Sequence, residues 1–134
     1  DVCSSDLAQG LLPAIASSSP MAIIDAALGR LGIRQHVRVV RSAAGEPLGK
    51  PHPAVYLSTA AELGVAPVDC VAFEDSIAGT IAAKAARMIC VSVPDPVVRT
   101  RREYGIADVV LDSLTQVPPG FFQQFGPGVP LAQR

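Results

Sequence analysis

The chain has 134 residues, of which 49% are hydrophobic and 17% charged, and a formal net charge of -1. That length holds one modest domain, and that composition supplies a real core, which excludes a disordered or low-complexity polypeptide. A balance so close to neutral offers no broad attraction to nucleic acid or to an anionic membrane, so neither is an expected partner.

No apolar run approaches the length of a membrane span, and the start lacks the charged-then-apolar order of a secretory signal, so the expected setting is cytoplasmic. The three cysteines, Cys3, Cys70 and Cys90, are odd in number, far apart and in no metal spacing. They fit a reducing compartment without a disulfide. Arg99, Arg101 and Arg102, followed at once by Glu103, read as a solvated helix face.

In chain order, residues 1–7 (DVCSSDL) show no periodicity that joins them to the rest of the chain and resemble a translated sequencing-adaptor tag. They are expected to be a non-native leader. A strand-type run over residues 11–16 is interrupted by Pro13 and stops at Ser17-Ser18-Ser19. Either this strand has a free edge at Pro13 or the native junction differs nearby. Pro20 suits a first helical position with Ser19 as N-cap, and Met21, Ile24, Ala27, Leu28 and Leu31 give a helical stripe up to Gly32.

A second strand-type run covers residues 37–40, and residues 42–49 (SAAGEPLG) read as a loop. Lys50-Pro51-His52-Pro53 then sets the lysine on a stiff approach to a helix over residues 54–63, which Gly64 stops. The central strand, residues 70–73, runs straight into Glu74-Asp75-Ser76 and an alanine-rich helix to about Arg87. A strand over residues 88–93, a Pro94-Asp95-Pro96 turn, a short helix over 97–104 and a last strand over 107–111 complete the pattern. The expected organisation is therefore a core over residues 8–117 and a loose Pro/Gly-rich tail over 118–134, in which Phe121, Phe122 and Phe125 are free to dock locally.

Strands alternating with helices of this length predict an α/β fold with a parallel sheet flanked by helices through right-handed crossovers. Ligands bind such sheets at the carboxyl ends of the strands. Three polar clusters fall there: the serines closing the first strand, Lys50 before a helix, and Glu74-Asp75 closing the central strand. Each has an ordinary alternative, a helix cap for the serines and the acids and a solvated charge for the lysine. Together a hydroxyl, an ammonium and two carboxylates form the set that phosphoryl chemistry uses.

The same residues carry a resemblance. IASSSP, GKPHPAVY and FEDSIAGTIAAKAARM are similar to the second, third and fourth motifs of the haloacid dehalogenase (HAD) superfamily of hydrolases, in its β-phosphoglucomutase-like subgroup, over roughly residues 9–114. KPHPAVYL, KAARM and ADVVLDSLT resemble the branch that acts on hexitol phosphates and 2-deoxyglucose-6-phosphate. The resemblance implies a partial Rossmann-like core and a Mg²⁺-dependent sugar-phosphate phosphatase, monomeric at full length, working through an aspartyl-phosphate intermediate. It implies Ser17 and Ser18 as phosphate-binding groups, Lys50 and Ser17 as catalytic residues, and Asp75 and Glu74 as metal ligands.

The departures matter equally. Such enzymes open with a strand ending in Asp-x-Asp-x-Thr, whose first aspartate attacks phosphorus, and then carry a helical cap that selects the sugar. Asp1 and Asp6 stand in no such motif, and Ser17, His36 and His52 lie in no nucleophile-base arrangement. The nucleophile strand and the cap are therefore expected to be missing and the chain by itself inactive and marginally stable. Two alternatives remain: a phosphomutase fragment of the same fold, and a non-catalytic phosphate-binding module.

Overall fold

The computed structural model describes residues 10–125. Strand β1 (Ala14–Ser17) leads to helix α1 (Met21–Leu31), β2 (Val39–Ser42) to α2 (Ala54–Leu63), β3 (Val71–Glu74) to α3 (Ile77–Ala85), and β4 (Ile89–Ser92) is followed by the two-residue β5 (Val109–Val110). All strand pairing among the described residues is parallel. β1 lies beside β2 with Ala14 opposite Val39 and Ser17 opposite Ser42. β3 lies beside β4 with Val71 opposite Ile89 and Glu74 opposite Ser92, and β5 flanks β4. No helix among the described residues is long and apolar enough to cross a membrane.

Among the described residues the strands form two parallel sheets. β1 and β3 are not hydrogen-bonded to each other. Between them opens a cleft of about 640 Å³ whose walls include Leu11, Leu12, Ile15, Val71, Phe73 and Met88. The halves are held together through helices: α2 packs on β1 and β2 and also meets α3, which covers β3 and β4. One core cluster joins Val55, Tyr56 and Ala60 of α2 to Ala72, Ala82, Ala83, Met88 and Cys90. The small residues of α3 allow this close approach, because alanine contributes no side chain beyond Cβ to hold the helix off the sheet. A second cluster gathers Ile89 and Val91 with Phe121 and Phe125. Every residue of β4 is buried, as a parallel strand covered on both faces requires.

Several boundaries move for identifiable reasons. Pro13 precedes β1 instead of interrupting it, and its carbonyl accepts the Arg38 N–H at 2.8 Å. Pro20, not Ser19, is the N-cap of α1. The helix expected over 97–104 is replaced by a turn, in which Asp95 accepts N–H groups from Val97, Val98 and Arg99, and a 3₁₀ helix over Arg102–Ile106. The break falls at Arg101, whose extended backbone (φ -68°, ψ 127°) ends the turn that begins at Asp95. Arg99 and Arg101 pair with Asp112 and Glu103 on the surface.

Within the tail expected from Pro118, the phenylalanines dock locally. Phe121–Phe125 forms a 3₁₀ helix whose Phe121 and Phe125 rings lie 5.1 Å apart and are buried against the sheet. Residues 126–134 of that tail and the leader over 1–7 fall outside the described residues. Cys70 and Cys90 are free thiols, both pushed above the usual value by burial.

Beyond α3 the chain turns through Arg87, a non-glycine residue at φ 65°. The left-handed conformation costs an L-residue about 1–2 kcal/mol, of which the greater unfolded-state freedom of glycine takes back part. Arg87→Gly is therefore expected to stabilise the fold by about 0.5–1 kcal/mol, read as a rise in the urea midpoint at unchanged slope. An unchanged or lower midpoint contradicts this account of the turn.

Candidate functional site

The carboxyl ends of β1 and β3 face each other at one edge of the cleft, and the side chain of Lys50 reaches between them. It is almost fully buried, at 9% exposure. Its ammonium donates to the Ala16 carbonyl of β1 at 3.0 Å, to the Tyr56 hydroxyl of α2 at 3.3 Å, and to Glu74 Oε1 at the end of β3. A lysine ammonium has three N–H donors, and all three are matched here. The Tyr56 ring also lies beneath it, 4.7 Å from the nitrogen to the ring centroid. The segment that delivers the lysine includes a cis Lys50-Pro51 bond, and the Ala54 N–H at the start of α2 donates to His52 Nδ1.

Glu74 is buried with the ammonium, and the Tyr56 hydroxyl donates to the same Oε1. Burying a carboxylate is tolerable only when it is paired and hydrogen-bonded, and both conditions are met. Burial first, and the Glu74 charge second, push the Tyr56 phenol well above its ordinary value, which keeps the hydroxyl protonated as a donor. Space for the carboxylate depends on Gly79 in the first turn of α3, where an added Cβ would land on the Glu74 carboxylate itself.

Asp75 behaves differently. Its side chain is exposed, while its backbone carbonyl is fixed by the Tyr104 hydroxyl at 2.8 Å. Ser76 is the cap of α3, its Oγ accepting the Gly79 N–H at 3.1 Å. The cap is thus a third residue, and neither carboxylate is spent on it.

At the end of β1, Ser17 Oγ accepts the Ser19 N–H at 3.1 Å and holds the turn into α1, and Ser18 is exposed. Ser42, closing β2, donates to the Ser19 carbonyl at 2.7 Å and braces the same turn. Lys50 and Glu74 are therefore in direct contact, and Ser17 directly follows the residue whose carbonyl Lys50 holds. Asp75 stands one residue beyond Glu74, toward solvent. His36 contacts Gln35 instead and has no part in this cluster.

The sequence profile of the haloacid dehalogenase-like hydrolases matches residues 6–87. The chain belongs to this family. Among curated relatives, hexitol phosphatase B of Escherichia coli K12 is 46% identical over 109 residues, which cover 81% of this chain and 49% of the relative. Among solved structures, CbbY of Rhodobacter sphaeroides in complex with phosphate superposes with a TM-score of 0.80 at 29% identity, covering 87% of this chain and 53% of that one. The β-phosphoglucomutase of Clostridium difficile gives a TM-score of 0.79 at 27% identity, covering 92% and 52%. The chain spans about half the length of the curated relatives it matches.

Three contributors escape a reading of the sequence. Tyr56 follows Lys50 by six residues and reads as one more core residue of a helix; Tyr104 and Ser42 act through long-range contacts with no local pattern. Toward a cation, no three His, Cys, Asp or Glu side chains converge among the described residues. Mg²⁺ needs only one or two carboxylates beside water and phosphate oxygens, so the Glu74-Asp75 pair fits as part of such a shell.

Gly79→Ala is expected to displace the Glu74 carboxylate and lower stability by about 1–3 kcal/mol, the usual cost of overpacking a filled site. Urea unfolding of the variant tests this. A loss below a few tenths of a kcal/mol would mean that Glu74 sits elsewhere.

Proposed function

We propose that this chain is part of a phosphoric monoester hydrolase acting on a small sugar phosphate, a hexose or hexitol phosphate, in the cytoplasm and as a monomer. The observation that carries the reading is the buried Lys50 ammonium between the carboxyl ends of β1 and β3, hydrogen-bonded to Glu74. A fixed cation at that edge is placed to neutralise the charge that a phosphoryl group and an attacking carboxylate share, without reorganisation at the moment of reaction. The 46% identity to a relative named for hexitol phosphates supports the substrate class.

In this reading Ser17 Oγ and the exposed Ser18 bind phosphate oxygens at the turn into α1, and Lys50 bridges phosphate and nucleophile. Asp75, whose side chain is exposed, is the principal Mg²⁺ ligand, and Glu74, already engaged by Lys50 and Tyr56, acts on the ion more weakly or through water. Bound there, Mg²⁺ would supply further charge neutralisation for the transferring group. The nucleophile of the proposed aspartyl-phosphate chemistry is a carboxylate that must reach the phosphorus from the cleft between β1 and β3. Among the described residues no second carboxylate contacts Lys50, so residues 10–125 alone are expected to turn over no sugar phosphate.

A second reading, a phosphomutase, is favoured by the likeness to β-phosphoglucomutase. The product separates the two. A protein carrying this chain together with the further length its relatives possess should release inorganic phosphate from hexitol and hexose phosphates, while accumulation of an isomeric sugar phosphate without phosphate release selects the mutase.

In that longer protein Lys50→Ala should lose about 3 kcal/mol or more of transition-state stabilisation, a hundredfold or greater fall in kcat/KM. Retained turnover removes Lys50 from the mechanism. Asp75→Asn should raise the Mg²⁺ concentration needed for half-maximal rate at least tenfold, and a Mg²⁺ dependence equal to that of the wild type would take Asp75 out of the metal shell.

A further inference from the structure

Each acceptor of the Lys50 ammonium comes from a different element: a backbone carbonyl of β1, a hydroxyl of α2 and a carboxylate of β3. The β1 and β3 partners lie on the two sheets that share no ladder, so the third partner is the one that ties the set together. Tyr56 touches both charged groups at once. Its hydroxyl accepts from Lys50 and donates to the same Glu74 oxygen that Lys50 binds, closing a three-membered ring of hydrogen bonds.

We propose that Tyr56 is a positioning residue for the phosphate site, whose hydroxyl fixes the direction of the Lys50 ammonium and the rotamer of Glu74. The proposal rests on the assignment of Lys50 to phosphate, but its geometric content does not. Without the hydroxyl one buried N–H of the ammonium loses its acceptor and Glu74 Oε1 loses a donor. A buried charge short of a partner reorients or recruits water, and both expose the lysine. A long flexible lysine side chain is held in one geometry only when its rotamer freedom is restrained at several points, and loss of the hydroxyl leaves two of the three.

The sequence provides an internal standard for a test on the 134-residue chain. It contains two lysines, Lys50 and Lys84. Lys84 is paired with Asp108 at the surface, with 31% of its side chain exposed. Brief labelling with trace acetic anhydride, followed by mass spectrometry, reads the two reactivities in one sample. In the wild type Lys50 should acylate at least tenfold more slowly than Lys84.

Tyr56→Phe keeps the ring beneath the ammonium and deletes only the hydroxyl. It should raise the Lys50-to-Lys84 ratio three- to tenfold at an unchanged far-ultraviolet circular dichroism spectrum. Glu74→Gln, a second variant that approaches the same ring of bonds from the other side, should raise it comparably, and the double variant should add less than the product of the two. An unchanged ratio in Tyr56→Phe, wild-type Lys50 reacting as fast as Lys84, or effects that simply multiply would each overturn the proposal.

In the longer protein Tyr56→Phe should lower kcat about tenfold or more while KM changes less than threefold, whereas a role confined to packing would leave kcat unchanged in the folded variant. If the labelling ratio shifts as expected and the wild-type longer protein hydrolyses no sugar phosphate, Tyr56 stands as the positioning residue and the phosphatase reading fails.

Discussion

One buried charge pair governs this structure. Lys50 and Glu74 lie out of water, and a pair in that position survives only if every remaining donor and acceptor finds a partner. The surroundings are arranged to meet that demand. The β1 backbone supplies the Ala16 carbonyl, α2 supplies the Tyr56 hydroxyl, and α3 withdraws its own side chain at Gly79 so that the carboxylate has somewhere to lie. Ser76 takes over the capping of α3, which leaves the acids before it for other partners. The same contacts join two sheets that have no backbone ladder between them, so the chemistry of the site and the cohesion of the domain rest on the same atoms.

A different ion pair closes the far side. Lys84 on α3 holds Asp108 with both carboxylate oxygens, at 2.9 and 2.7 Å, and Asp108 accepts the Cys90 N–H at 2.7 Å as β5 begins. β5 is only two residues long, and this side-chain bond extends its hold on β4 by one more amide. Beneath α3, the hydroxyls of Thr80 and Ser92 pair at 2.8 Å with no exposure of either residue. Polar groups in this core are thus used in matched sets, and no buried side-chain nitrogen or oxygen among the described residues lacks a partner.

The alternation of strands and helices and the placing of Lys50 and Glu74 at the carboxyl edge of the strands were legible because both rest on local signals: apolar runs bounded by Gly, Pro and Ser, and polar residues set where a strand ends. What was illegible depends on partners far along the chain. Tyr56 is indistinguishable in sequence from a core aromatic until Glu74, eighteen residues on, is folded against it. The helix expected over 97–104 carried an acceptable composition, but Arg101 took an extended conformation and broke it. The tail read as loose because Pro and Gly dominate it, with local docking of its phenylalanines left open, and three of them in five residues found an apolar sheet face beside Phe73.

The cleft between β1 and β3 differs from an ordinary sheet edge. Among the described residues β1 is bonded only to β2 and β3 only to β4, so the opposite flank of each faces the same space. A segment that pairs at the outer edge of β2 or β5 can form one ladder, whereas an extended segment within the cleft can form two at once. Either ladder alone ties down a chain whose ordering costs about 1–2 kcal/mol per residue; with both, the second set of bonds is gained at no added conformational cost. In such a gap a single extended strand gains two ladders, whereas a helix, whose backbone groups are already paired, gains none.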